Sequence, residues 1–194
     1  MIKRRAFTLI ELIIVVAIII IIGATAPMLS SGIIVERQVY NAATQIQQDI
    51  LLIQNLAITH GSGGPSISGG TRFVMRLYLS SNTIAYQTKE NAPNLPSSNP
   101  VPGDSIVVRK MPSSIGFPAY FGKTSPESVK IGSNNVTSGY VDLAFDNQGY
   151  PYWSVNSGPY NQNMGYIILV NSSLSKQIKV EVTQIGRVTI DWVP

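Results

Sequence analysis

The chain has 194 residues, 44% hydrophobic and only 12% charged, which excludes a disordered polymer and leaves room for one ordinary domain plus an additional element. Its formal charge of +4 rests on Lys3, Arg4 and Arg5; without them 11 basic residues face 10 acidic ones, so no basic nucleic-acid face is implied. The absence of cysteine removes disulfides, thiolate metal sites and a cysteine nucleophile, and a single histidine, His60, removes any site built on several histidines.

Residues 1–6 read Met-Ile-Lys-Arg-Arg-Ala, and residues 7–29 follow as FTLIELIIVVAIIIIIGATAPML. The second stretch carries one charge, Glu11, and its 23 residues span roughly 34 Å as a helix, enough for a bilayer core of about 30 Å. The basic cluster ahead of it predicts a cytoplasmic N-terminus, with the rest of the chain outside. Three readings compete here. One is a secretory signal cut after Ala24-Thr25-Ala26, which places Pro27 directly after the cut. Another is a plain single-span anchor, which leaves the carboxylate of Glu11 unexplained inside the membrane.

The third reading is a resemblance. Arg5-Ala6-Phe7-Thr8-Leu9-Ile10-Glu11-Leu12 resembles the prepilin signature of type IV pilin-like proteins, in which a short basic leader precedes F-T-L-I-E. The resemblance implies cleavage by a prepilin peptidase between Ala6 and Phe7, N-methylation of Phe7, and a role for Glu11 in subunit assembly. Ala6 stands where the family usually has glycine.

Apolar positions continue at Val35, Val39, Ala42, Ile46, Ile50, Ile53 and Ala57, steps of three and four that mark one face of a helix. Gln38, Gln45, Gln48, Asp49 and Asn55 lie off that stripe. The pattern predicts an amphipathic continuation over residues 30–61 that packs on a sheet, ended by Gly61 and Gly63-Gly64-Pro65. Pro27 predicts a kink or local opening between the two helical parts. His60 falls at the helix end, where it is expected to meet the last carbonyls.

From Thr71 onward the period becomes two. Phe73, Met75, Leu77 and Leu79 alternate with Arg76 and Tyr78. Further strands are expected at residues 83–88, 105–110, 139–145, 150–155, 165–171, 177–183 and 187–193. Asp146-Asn147-Gln148-Gly149 and Ser172-Ser173-Leu174-Ser175 read as turns, and Asn91–Gly103, with four prolines, as an irregular loop. The expected fold is α+β: a long N-terminal helix, its first half transmembrane, packed by its second half on an antiparallel sheet domain over residues 62–194, a lollipop.

Within that domain Val141–Pro151 (VDLAFDNQGYP), Gly165–Val170 and Gln177–Ile190, ending in Gly186-Arg187-Val188, are similar to the GspH/FimT minor pilins and pseudopilins. Gln47–Ile58 fits as well, while residues 80–140 are not covered. The resemblance implies a non-enzymatic subunit of a type II secretion pseudopilus or type IV pilus, in the cytoplasmic membrane and then in a filament. Its implied partners are other pilins or pseudopilins, the prepilin peptidase and an inner-membrane assembly platform. No cofactor, metal or catalytic residue is expected. Asp142 reads as a solvated strand residue and Asp146 as part of a turn. Tyr150, Tyr152 and Trp153 read as an aromatic cluster used for packing. The Gly61–Gly70 stretch follows a helix and has no lysine, so it does not suit a phosphate loop. The alternative function is a DNA-uptake minor pilin, but the matching region offers Arg187 alone, followed by Asp191, and phosphate binding needs several cations.

Overall fold

Helix α1 runs from Leu9 to Thr59, an α-helix of 51 residues in a computed structural model that describes residues 8–59, 73–87, 106–122, 128–172 and 177–193. Of residues 23–31, 85–87 and 106–107 the backbone alone is described. The helix continues through Gly23, Pro27 and Gly32, so the opening expected at Pro27 is not seen. One missing N–H is lost from a ladder that holds on both sides of it. Ala6, Phe7, His60, the Gly61–Gly70 stretch, the Asn91–Gly103 loop and Ser173–Ser175 lie outside the described residues. The chain divides into two compact units, Met1–Arg37 and Gln38–Pro194.

In the second unit every strand pairing is antiparallel. One sheet contains β1 (Val74–Tyr78), β2 (Thr83–Gln87), β3 (Ile106–Lys110), β7 (Tyr140–Phe145), β8 (Pro151–Val155) and β9 (Asn161–Gln162), in the order β3-β2-β1-β7-β8-β9. The other contains β5 (Val129–Ile131), β6 (Asn134–Val136), β10 (Gly165–Asn171), β11 (Gln177–Val182) and β12 (Val188–Val193), in the order β12-β11-β10-β5-β6. The short β4 (Ile115–Gly116) pairs with β10, and a 3-10 turn covers Pro118–Phe121. All eight expected strands form, within a residue or two of their expected ends. The α+β class holds.

The apolar stripe of α1 provides the centre of the core. Val39, Ala42, Ala43, Ile46, Ile50, Ile53 and Ala57 are buried with Phe73, Met75, Leu77 and Leu79 of the first sheet and Ile178, Val180 and Val182 of the second. Both sheets therefore share one core with the helix. Side-chain hydrogen bonds fix where the helix lies. Gln47 Nε2 donates to the carbonyl of Val188 at 3.1 Å, and Gln54 Nε2 donates to the carbonyls of Gly149 and Gly186, each at 3.0 Å. Gly149 and Gly186 have φ of +84° and +82°, and a Cβ on Gly186 would collide with the Gly149 carbonyl oxygen. Only glycine fits that joint.

Two expectations are corrected. Asp49, placed off the stripe, is only 5% exposed. It faces Arg109 of β3, whose Nη2 donates to Oδ1 at 3.0 Å and whose Nε lies 2.8 Å from Oδ2. A side chain at the margin of the stripe is covered because the outer strand β3 carries a cation to meet it. Asp142 is not solvated either. It is buried, and Arg76 Nε and Nη2 donate to its two oxygens at 2.6 and 2.7 Å. Arg76 and Asp142 are direct neighbours across β1 and β7, on the face away from the main core. That face is covered too: Arg76 lies 3.9 Å over the Tyr140 ring, and Val74, Tyr78, Tyr140 and Ala144 form a second small cluster with Val108 and Tyr160. Burial works against the Arg76 charge, but the hydrogen bond and charge of Asp142 outweigh it and hold the guanidinium above its ordinary value.

Removing one partner of a buried, bidentate pair leaves a charge without compensation. Asp142→Ala should therefore lower stability by about 3–5 kcal/mol in urea denaturation, against less than ~0.5 kcal/mol for Asp191→Ala on the exposed part of β12. Equal effects would show that the pair is not buried as described. Asp49 gives a pH prediction. Burial raises its pKa above 3.8, and the charge and hydrogen bond of Arg109 only partly oppose this. The folded state then holds the proton more tightly than the unfolded chain. Its contribution is fully present below pH 3.8 and is lost as pH rises through the folded pKa. Measured against Asp49→Asn over that window, the wild type should lose relative stability with rising pH; a relative gain would mean that Arg109 outweighs burial.

Candidate assembly segment

The first unit presents the start of α1. Thr8 precedes the first helical residue, and Glu11 is the third residue within the helix. Thr8 Oγ1 accepts the Glu11 N–H at 3.3 Å, and Glu11 Oε2 accepts the Thr8 N–H and the Thr8 hydroxyl, each at 2.9 Å. This is a reciprocal capping box: each side chain satisfies a backbone donor that a helix start leaves unpaired. Both bonds from Thr8 fall on one oxygen of Glu11, so Oε1 has no such partner among the described residues. Position 8 was not singled out in the sequence reading, although Thr-x-x-Glu before an apolar run is its readable signature.

Beyond the cap, every side chain from Leu9 to Ile22 is exposed and all but Glu11 are apolar. Exposure runs from 46% at Val15 to 76% at Leu9, far beyond the scattered apolar residues normal on a soluble monomer. Among the described residues no helix is long and apolar enough to cross a membrane. The stretch with described side chains ends at Ile22, whereas the apolar sequence continues to Leu29. In the second unit, the outward face of α1 carries Tyr40, Leu51, Leu52 and Ile58 among polar residues. From Gln38 to Thr59 its only charged residue is the buried Asp49.

The remaining candidates are committed elsewhere. Asp146 Oδ1 accepts the N–H groups of Gln148 and Tyr150, each at 2.9 Å, which makes the expected turn. Asp142 is held by Arg76, so the two carboxylates form no paired site. No group of three or more metal-binding side chains occurs among the described residues. Trp153 lies in the main core with its Nε1 donating to the Asn163 carbonyl at 3.1 Å, while Tyr150 and Tyr152 are half-buried, so the three aromatic residues do not share one environment. Arg187 is exposed, and Lys179 of β11 is bound to Glu181 at 2.5 Å. That leaves little positive charge for a phosphate backbone.

Residues 1–26 match the family model described as the prokaryotic N-terminal methylation motif. Comparison with curated proteins and with solved structures finds no match. The match spans the basic leader, the Phe7–Glu11 signature, the Thr8–Glu11 cap and the exposed apolar start of α1, and in this segment the chain is similar to type IV pilin-like proteins.

Proposed function

We propose that the chain is a minor pilin or pseudopilin, a non-catalytic subunit that waits in the cytoplasmic membrane and then joins other pilins in a filament. The observation that carries this reading is the N-terminal methylation motif continuing into an exposed apolar helix start, Leu9 to Ile22, whose one carboxylate sits in a capping box. In this reading residues 1–6 are a leader, the prepilin peptidase cuts between Ala6 and Phe7, and the new Phe7 amine is methylated. Residues 7–29, roughly 34 Å as a helix, anchor the chain in the bilayer with the N-terminus cytoplasmic and the β-rich domain outside.

The role of the head is read as GspH/FimT-like, a subunit that starts or caps a type II secretion pseudopilus or type IV pilus. The supporting feature is that the turns carrying Gly149 and Gly186, both within the similar stretches, meet on Gln54 of the similar helix segment. Assembly follows from charge. A carboxylate in a membrane helix costs about 2.5–3.5 kcal/mol on insertion scales. Cleavage creates a positive amine on Phe7 at nearly the same depth. Glu11 of an incoming subunit meets the Phe7 amine of the one in place, through the oxygen that Thr8 does not use. Each charge is then neutralised only in the correct axial stagger.

Processing is tested by mass spectrometry of the membrane-extracted protein, which should begin at N-methylated Phe7. An intact Met1, or a first residue at Pro27, would sink the cleavage assignment. The pairing is tested by Glu11→Gln beside Glu11→Ala. Glutamine preserves a capping box but has no charge. If charge pairing drives assembly, both variants should insert and be cleaved, yet enter the filament at least about tenfold less well by cross-linking, a loss of ~1.4 kcal/mol or more. Normal incorporation of Glu11→Gln would show that the cap alone matters.

A further inference from the structure

We propose that the cleft between the outer strands β6 and β9 is a binding site for a neutral saccharide. β6 ends one sheet and β9 ends the other, and the cleft between them has a volume of about 510 Å³. That lies within the range of ligand sites, about 300–1,000 Å³. Buried Ile131 and Trp153 lie beneath it, Val155 and Pro159 give it apolar surface, and its rim comes from the carboxamides of Asn134, Asn161, Gln162 and Asn163.

The chemistry of this lining is selective. It contains no ionisable side chain. A charged ligand would lose water there and meet no counter-ion. A carboxamide offers two donors and an acceptor from one group, so it answers both roles of a sugar hydroxyl. The small apolar surface of Val155 and Pro159 suits the C–H face of a pyranose ring. Two of the carboxamides are already oriented: Asn161 Nδ2 donates to the Pro159 carbonyl at 3.3 Å, and Asn163 Oδ1 accepts the Met164 N–H at 3.0 Å. Asn134 and Gln162 are exposed at the rim, with no side-chain hydrogen bond to another described residue, and are left for the ligand.

A tight hairpin turn, closed by the Gly158 N–H donating to the Val155 carbonyl at 2.8 Å, adjoins the cleft. Asn156 and Ser157, successive non-glycine residues, have φ of +47° and +64°. They are held by the Asn156 carboxamide oxygen, which accepts the Tyr140 N–H at 3.0 Å, and by the Ser157–Tyr140 hydroxyl contact at 2.5 Å. Ser154 Oγ then donates to the Gly158 carbonyl at 2.6 Å, fixing the Gly158–Pro159 wall. Gly165 completes the arrangement, since a Cβ there would lie 2.8 Å from the Trp153 ring. None of this depends on the assembly reading.

The test uses the full chain in a zwitterionic detergent without a sugar head group. The chain has two tryptophans, so Trp192→Phe leaves Trp153 as the only indole reporter. This variant is titrated with glucose, galactose, mannose, N-acetylglucosamine and disaccharides built from them, and with sialyllactose as the charged counterpart. At least one neutral saccharide should shift the Trp153 emission saturably, with no weakening in high salt. Adding Asn134→Ala and Gln162→Ala should weaken that binding at least about tenfold with the melting temperature unchanged. The proposal is overturned if no neutral saccharide gives a saturable response up to about 50 mM, above the weak millimolar end of affinity. It is equally overturned if the double substitution leaves affinity intact, or if only the charged sugar binds and salt abolishes it.

Discussion

The carboxamide of Gln54 reaches from α1 to the carbonyls of Gly149 and Gly186, and so joins three elements that the sequence keeps far apart. Gly149 ends the turn between β7 and β8 in one sheet, and Gly186 the turn between β11 and β12 in the other. Each buried carbonyl needs a donor, and one side-chain NH₂ group supplies both. The joint forms only because the turns approach to the point where neither tolerates a side chain. With it made, the apolar stripe from Val39 to Ala57 faces both sheets at once, and a helix with one apolar stripe needs no second layer to cover it.

The two acidic residues used to hold strands in place do so at different cost. Arg76 and Asp142 are both buried, and two bidentate hydrogen bonds under an aromatic ring compensate their desolvation. Asp49 is buried, but its partner Arg109 is one-third exposed, so its charge is balanced by a cation that stays partly in water. That imbalance is why burial raises the Asp49 pKa despite a cation at 2.8 Å. Asp142 secures the middle of a sheet, whereas Asp49 ties the outer strand β3 to the helix at some expense in stability.

Much of this architecture was legible because periodicity reports which face is covered. The 3.6-residue stripe identified the buried residues of α1 from Val39 to Ala57, and period two identified β11, whose Ile178, Val180 and Val182 are fully buried. Period two failed at β1. All five of its residues are buried, since Tyr140 and Tyr160 cover the face that carries Arg76. Alternation shows that two faces differ in polarity, not that the polar one meets water. The strands β4, β5, β6 and β9 have two or three residues each, too short for any period, and they exist only through their longer partners. The rim of the cleft between β6 and β9 was therefore illegible, because its asparagines look like loop residues until two sheet edges bring them together.

The N-terminal carboxylate shows how a local rule and an assembly rule can use the same residue. A hydrogen bond to a charged group opposes the cost of placing a carboxylate in an apolar environment. The two bonds from Thr8 thus lower the barrier to holding Glu11 in an apolar environment. They do not remove the charge. Hydrogen bonding to Oε2 ties the carboxylate to the helix start, and Oε1 has no such partner among the described residues. A helix N-terminus already favours negative charge, so Glu11 is stabilised by its own helix before any partner arrives. What the cap does not supply is a counter-charge, and an exposed apolar run of Leu, Ile and Val cannot supply one either. In the proposed assembly the charge left on the capped helix is the term that distinguishes one axial register of neighbouring helices from another, because apolar packing along so uniform a run is nearly indifferent to sliding.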